Sequence, residues 1–105
     1  PATLYEILVT TSAVRDLDSI VAYITEQLSN ASAAGKLLDK IQACYDVLKC
    51  TPMLYPGCTD QRLKRKGYRK ALVGNYLFIY KVDQRECRVH VLRFFYSGQD
   101  YMRKL

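Results

Sequence analysis

Four side chains in the second half of this sequence, Arg69, Lys70, Arg93 and Tyr96, are of the types that could act on a phosphate. Guanidinium and ammonium groups hold phosphate oxygens and stabilise charge developing on them, and a phenol stacks on a base or assists a proton transfer. The segments that carry them read as strands, which antiparallel pairing would set side by side. A run of cations, Lys64-Arg65-Lys66, precedes them. From Asp60 onward there are 12 Lys/Arg against 4 Asp/Glu, whereas the residues before it carry 4 against 6. A chain that is nearly neutral in one half and strongly positive in the other is arranged to meet an anion on one side. Tyr68, Tyr76, Tyr80, Tyr96 and Tyr101 interleave with those cations, which makes a nucleic acid the leading candidate for the anion.

Each of these residues also has an ordinary reading. Lys64-Arg65-Lys66 suits a solvated hairpin or loop. Tyr76 and Tyr80 share strand parity with Phe78, which points them to the core rather than to bases. Arg93 has two readings of equal weight, a phosphate contact or an ion pair with a carboxylate such as Asp100. Tyr96 lies beside Ser97-Gly98 near a strand end, where side chains become accessible. A tyrosine of ordinary pKa, about 10, is a poor base at neutral pH unless nearby cations lower it. His90 alternates with Val89 and Val91 and so faces away from them, as a surface or satisfied histidine would.

The elements that must position these residues follow from periodicity. Leu4 to Val9 is short, apolar and bounded by Thr10-Thr11-Ser12, and reads as a strand. Val14, Leu17, Ile20, Val21, Ile24 and Leu28 recur at helical spacing, with Ser12 as N-cap and Asp16 and Asp18 near the positive end of the helix dipole. Ser29-Asn30 breaks the pattern. A second stripe, Ala34, Leu37, Leu38, Ile41, Tyr45 and Leu48, ends before Pro52. Residues 53–57 form a loop, and strands follow over Tyr68 to Val73, Tyr76 to Val82 and Arg88 to Phe95. Gly74-Asn75 is a two-residue hairpin signal, and Asp83 to Glu86 a longer polar turn. The order β-α-α-β-β-β predicts an α+β fold, a helical hairpin packed on one face of a small, mostly antiparallel sheet that the first strand joins.

At 105 residues and 12.1 kDa the chain is expected to be one domain, spanning residues 1–105, with a single core. Its apolar runs are too short to span a bilayer and no signal-peptide pattern opens it, so the cytoplasm is the expected compartment and no membrane contact is expected. Cys44, Cys50, Cys58 and Cys87 show no CxxC spacing and read as small apolar or partly exposed thiols. With one histidine in the chain, neither a metal site nor a cofactor is expected.

Taken together, Lys66-Gly67-Tyr68-Arg69-Lys70, Val73 to Asp83, and Val91-Leu92-Arg93-Phe94-Phe95-Tyr96 followed by Gln99-Asp100-Tyr101 resemble the RelE/ParE superfamily of type II toxin–antitoxin toxins. The run from Tyr5 to Ala22 fits as well, so the resemblance covers nearly the whole chain. It implies a small toxin silenced by a cognate antitoxin, within a toxin–antitoxin hetero-oligomer. RelE-like members enter the ribosomal A site and cut mRNA, whereas ParE-like members poison DNA gyrase.

For cleavage, the RNA 2′-OH attacks the adjacent phosphate. That requires a proton acceptor, cations on the phosphate and a donor to the departing 5′-oxygen. The resemblance places Tyr96 where several members carry a late catalytic residue, with Arg93 three positions before it. It places Arg69 and Lys70 on the lysine-rich strand that faces RNA. On this reading Arg69, Arg93 and Tyr96 are catalytic, and Lys64, Arg65, Lys66 and Lys70 bind RNA. Two departures oppose it: Leu77 stands where many ribonuclease members have arginine, and Gln61 where one subgroup has a glutamate base. The ParE branch tolerates an apolar residue at Leu77 and often closes with Arg-apolar-apolar-His-Gly, where this chain has Arg93-Phe94-Phe95-Tyr96-Ser97-Gly98. The tyrosine and the basic strand tip the sequence reading toward an mRNA endonuclease. The alternatives are a gyrase inhibitor without catalysis of its own and a passive RNA-binding domain.

Overall fold

The computed structural model describes residues 3–105. Strand β1 (Glu6–Val9) leads into helix α1 (Thr11–Ala22), which widens into a π-helical turn over Tyr23–Gln27, and helix α2 (Ala31–Cys50) completes a helical hairpin. A short helix α3 (Gln61–Arg65) precedes strands β2 (Tyr68–Val73), β3 (Tyr76–Asp83) and β4 (Arg88–Tyr96), and a 3₁₀ turn follows over Tyr101–Lys104. The sheet order is β1-β4-β3-β2, with β1 parallel to β4 and the other pairs antiparallel. The expected α+β architecture, with its first strand in the sheet, is the observed one.

Local chemistry explains the boundaries, with two corrections to the sequence reading. The N-cap of α1 is Thr10, not Ser12, which lies in the first turn. The Thr10 hydroxyl accepts from Ala13 N at 3.1 Å and donates to the Leu92 carbonyl at 2.9 Å. One side chain therefore both starts the helix and ties it to β4, which Ser12 could not do. Between the helices Ser29 takes φ +48°, and Asn30 caps α2 by accepting from Ala33 N at 3.0 Å. Lys64-Arg65-Lys66 is not a hairpin or plain loop: Lys64 and Arg65 lie in α3 and Lys66 ends it. Asp60 caps this helix, accepting from Leu63 N at 3.1 Å, and the fully buried Leu63 anchors it. Gly67, at φ +77°, turns the chain out of α3 into β2.

The sheet is covered on both sides. Ala71, Val73, Phe78, Tyr80, Val89, Val91 and Phe94 pack against Ala13, Ile24, Leu37 and Ile41 of the helical hairpin. The alternate residues Leu77, Ile79 and Phe95 pack with Cys58, Leu63 and Tyr101 beneath α3 and the 3₁₀ turn. Hence β3 has four consecutive buried residues, Leu77 to Tyr80, as expected of a central strand enclosed on two faces. Burying each such large side chain contributes about 1.5–3 kcal/mol. The β3–β4 register shifts between Ile79, opposite Arg93, and Tyr80, opposite Val91, so Leu92 is the extra residue of a β-bulge.

Candidate functional site

The bulge sets the geometry around Arg93. Strand β1 stops at Val9, opposite Val91, so the outer edge of β4 beyond that point has no strand partner among the described residues. Asp16 of α1 takes the strand's place there. Its Oδ2 accepts from Arg93 Nε at 2.6 Å and from Phe94 N at 3.1 Å, while Oδ1 accepts from an Arg93 terminal nitrogen at 3.0 Å. The pair is well shielded, with side chains 28% and 19% exposed. The hydrogen bonds that Arg93 donates to Asp16 raise its pKa further, against a smaller opposing effect of burial. Arg93 also lies 5.1 Å from the centre of the Phe95 ring. Of the two sequence readings of Arg93 the ion pair is the one formed, but with Asp16, 77 residues away, while Asp100 pairs with Arg103 at 3.1 Å.

The other predicted site residues do not gather around it. Arg69 lies opposite Tyr80, on the hairpin side of the sheet, and donates to the Tyr55 carbonyl at 2.7 Å. Lys70 points to the other side, in one cross-strand row with Ile79 and Arg93. Its Nζ donates to the Tyr101 hydroxyl at 3.2 Å and sits 5.7 Å from that ring. Tyr96 pairs with Tyr76 on the hairpin side, ring edge to ring face at 5.9 Å, and is 54% exposed. Pairing thus brings Lys70 and Arg93 onto one face and leaves Arg69 and Tyr96 on the other. The strands expected to lie side by side, β2 and β4, are joined only through β3 between them, and strand alternation parts the residues further: Arg69 and Lys70 are consecutive, so they face opposite ways. Lys64, Arg65 and Lys66 are exposed around α3, with the Lys66 ammonium 5.6 Å from the Tyr68 ring.

Tyr96 borders a different feature. An open groove of about 630 Å³ runs between the helical hairpin and the β2–β3 turn, lined by Ser19, Ile20, Tyr23, Leu28, Asn75, Tyr76 and Tyr96. Tyr23 and Leu28 are half exposed here, and the π-helical turn between them, closed by Leu28 N to Tyr23 O at 3.2 Å, sets their positions. The Tyr76 phenol is raised in pKa, chiefly by burial and then by Tyr23 and Tyr96. This moves it away from the proton-accepting role cleavage would require. Under the hairpin on the same face, Tyr80 is buried and donates to the Pro52 carbonyl at 3.1 Å, as its core parity implied. His90 is half-buried, and Val89 and Val91 beside it are fully buried on the opposite face.

Sequence reasoning missed Asp16 as the partner of Arg93. A signal was present, since Asp16 sits at helical spacing from Ala13 and Ile20, on the rim of the buried stripe. A carboxylate there has to find a donor. Tyr55 and Tyr101, which take up Arg69 and Lys70, carried no local signal of that role.

Among the curated proteins none matches this chain by sequence. Several solved structures share its fold. A chain of the chromosomal ParDE toxin–antitoxin system of P. aeruginosa superposes with a TM-score of 0.69 at 18% identity, covering 90% of this chain and 98% of its own. A chain of a RelBE toxin–antitoxin complex of Mycobacterium tuberculosis gives 0.61 at 20% identity, with 89% and 98% covered. One of the archaeal RelE–RelB complex of Pyrococcus horikoshii gives 0.57 at 15%, with 91% and 98% covered. At these identities the likeness establishes the fold alone. The family profile described as the ParE toxin of the type II toxin–antitoxin system, parDE, matches residues 7–101, and the chain therefore belongs to the ParE toxin family.

Proposed function

We propose that this toxin arrests growth by binding a protein target, DNA gyrase, without catalysis of its own, and that a cognate antitoxin silences it. The observation that carries this reading is the failure of the cleavage groups to converge. Arg93 is held by Asp16, Arg69 by the Tyr55 carbonyl and Lys70 by Tyr101, and Arg69 and Tyr96 face away from the other two. Cleavage depends on cations and a proton carrier aimed at one phosphate. Leu77, where ribonuclease members carry arginine, is 2% exposed and part of the second core, so a charge there would be buried. The family membership favours the same branch.

The antitoxin side of the proposal draws on the solved relatives, which are toxin–antitoxin systems and complexes. The groove offers Tyr23, Leu28 and Tyr96 to an apolar helix face. Lys36 and Lys40 line the adjoining cleft, where they would meet acidic residues of such a segment.

Induced expression with parallel assays for double-strand DNA breaks and for transcript cleavage tests the target. Gyrase-dependent breaks with intact ribosome-bound mRNA are expected, and cut transcripts without breaks would overturn the reading. Tyr96→Phe, which removes only the hydroxyl, should leave growth inhibition within about twofold of wild type. A loss of 10²-fold or more, the size associated with removing an acid–base group, would restore the ribonuclease assignment. If the toxin purifies without a partner chain and the neighbouring gene fails to rescue growth, the antitoxin proposal fails.

A further inference from the structure

The sheet face opposite the helical hairpin carries cations that the protein does not use internally. Lys64, Arg65, Lys66, Lys81 and Arg85 are all exposed. The ion pairs among the described residues are Lys49–Asp46, Arg93–Asp16 and Arg103–Asp100, and none involves these five. Register organises them. Tyr68, Lys81 and His90 form one row across β2, β3 and β4, with Lys66 over the Tyr68 ring and α3 beside it. Arg85, in the β3–β4 turn, lines an open cleft of about 500 Å³ with Lys81, Asp83 and His90. Of the neighbouring carboxylates, Asp60 is engaged by Leu63 N and Asp83 by Glu86 N, which leaves Glu86 as the exposed one on the turn.

Point charges spread from α3 to the far turn suit a continuous polyanion better than a single carboxylate. The aromatic rings decide which polyanion. Tyr68 has Lys66 over it, and Tyr101 is stacked on Phe95 at 5.5 Å with Lys70 beside it. On this face each of these two rings already has a neighbour over or beside it, which makes a poor platform for unpaired bases, and sequence-tolerant single-strand binding depends on such platforms. A duplex stacks its own bases and presents phosphates.

We propose that this face binds the sugar–phosphate backbone of duplex DNA without regard to sequence, at a site separate from the apolar groove. Its place in the cell rests on the gyrase reading, which supplies the duplex; the binding chemistry does not.

Fluorescence anisotropy of the full chain with a labelled mixed-sequence duplex, titrated with salt, tests it. Five phosphate contacts give a log–log slope of roughly −4.5, a loss of several hundred-fold in affinity between about 50 and 200 mM salt. Lys81→Gln/Arg85→Gln should make the slope shallower by roughly 2, and Lys64→Gln/Arg65→Gln by a similar amount. Single-stranded RNA and an acidic peptide of equal length should bind more weakly than the duplex. An unchanged slope in both double variants, no duplex binding, or tighter binding of the RNA or the peptide would each overturn the proposal. A parallel gyrase cleavage assay separates the two readings. Wild-type toxin that binds duplex but yields no gyrase-dependent breaks sinks the gyrase target and leaves the DNA site standing. Breaks from a toxin that binds no duplex sink the site alone.

Discussion

Replacing Asp16 by alanine removes three hydrogen bonds at once, and they are not equivalent. The bond from Phe94 N is a backbone donor on a residue only 3% exposed, with no strand beyond it to substitute. Stranding such a donor costs about 1–3 kcal/mol. The pair with Arg93 is partly exposed, so it is worth less than the 3–5 kcal/mol of a fully buried pair and more than a surface one, about 1–2 kcal/mol. Asp16→Ala should therefore cost about 2–5 kcal/mol, a large share of the 5–15 kcal/mol typical of a domain. Arg93→Ala should cost only about 1–2 kcal/mol, because Asp16 still accepts from Phe94 N. Thermal and urea unfolding followed by circular dichroism would read the difference, at about 4–8 °C of Tm per kcal/mol for a domain near this size. Amide exchange at Phe94 should accelerate more in Asp16→Ala than in Arg93→Ala, where it rises only with the loss of global stability. If Arg93→Ala costs as much as Asp16→Ala, the carboxylate is not standing in for a missing strand and the reasoning is wrong.

Further outcomes follow from backbone and burial. Gly74→Ala should lose about 1–2 kcal/mol, seen as a lower urea midpoint. Gly74 sits at φ +60° with nothing within 4 Å of an added Cβ, so the cost is strain alone. Stability should also fall in alkali. Burial, then Cys44, pushes the Tyr45 phenol up to about 12, and the hydrogen bond to Cys44, then burial, does the same for Tyr55. A pKa raised on folding means the native state holds the proton longer. The contribution is complete below pH ~10, the unfolded tyrosine value, and is lost as pH rises toward about 12. Tyr45→Phe should flatten that alkaline decline in melts taken across the window, and an unchanged decline would refute the assignment.

How far the sequence could be read depended on whether a signal was local. Gly74-Asn75 and the apolar runs around it located β2, β3 and β4 to within about a residue, because turn chemistry and strand alternation are neighbour effects. The two long helices were legible for the same reason. A five-residue helix such as α3 cannot display a 3.6-residue period, and its Lys/Arg content looked like a loop. The choice of Thr10 over Ser12 as cap was settled by the carbonyl of Leu92, 82 residues away. The bulge at Leu92 and the pairing of Arg93 with Asp16 are tertiary outcomes of where β1 stops. The opposed orientations of Arg69 and Lys70 were legible, since adjacent strand residues alternate, but resemblance to a cleavage site drew them together. Leu77 to Tyr80 likewise announced a strand buried on both faces, and so a second cover for the sheet.

The lone parallel pairing of β1 has a consequence for how the protein comes into being. Residues 6–9 pair in register with residues 88–91 of β4, the last strand of the sheet, and β4 is the neighbour of β1 in it. A chain made from its N-terminus releases β1 and the helical hairpin first, while their strand partner does not yet exist. The β2–β3 hairpin can close on its own, being contiguous, but it cannot recruit β1 without β4 between them. A polypeptide interrupted before Arg88 has no continuous sheet and no mate for Asp16. Translation of the final strand is thus the step that converts a set of loose amphipathic segments into a toxin. Until then its strand edges and apolar helix faces stand open to any partner already present beside the ribosome.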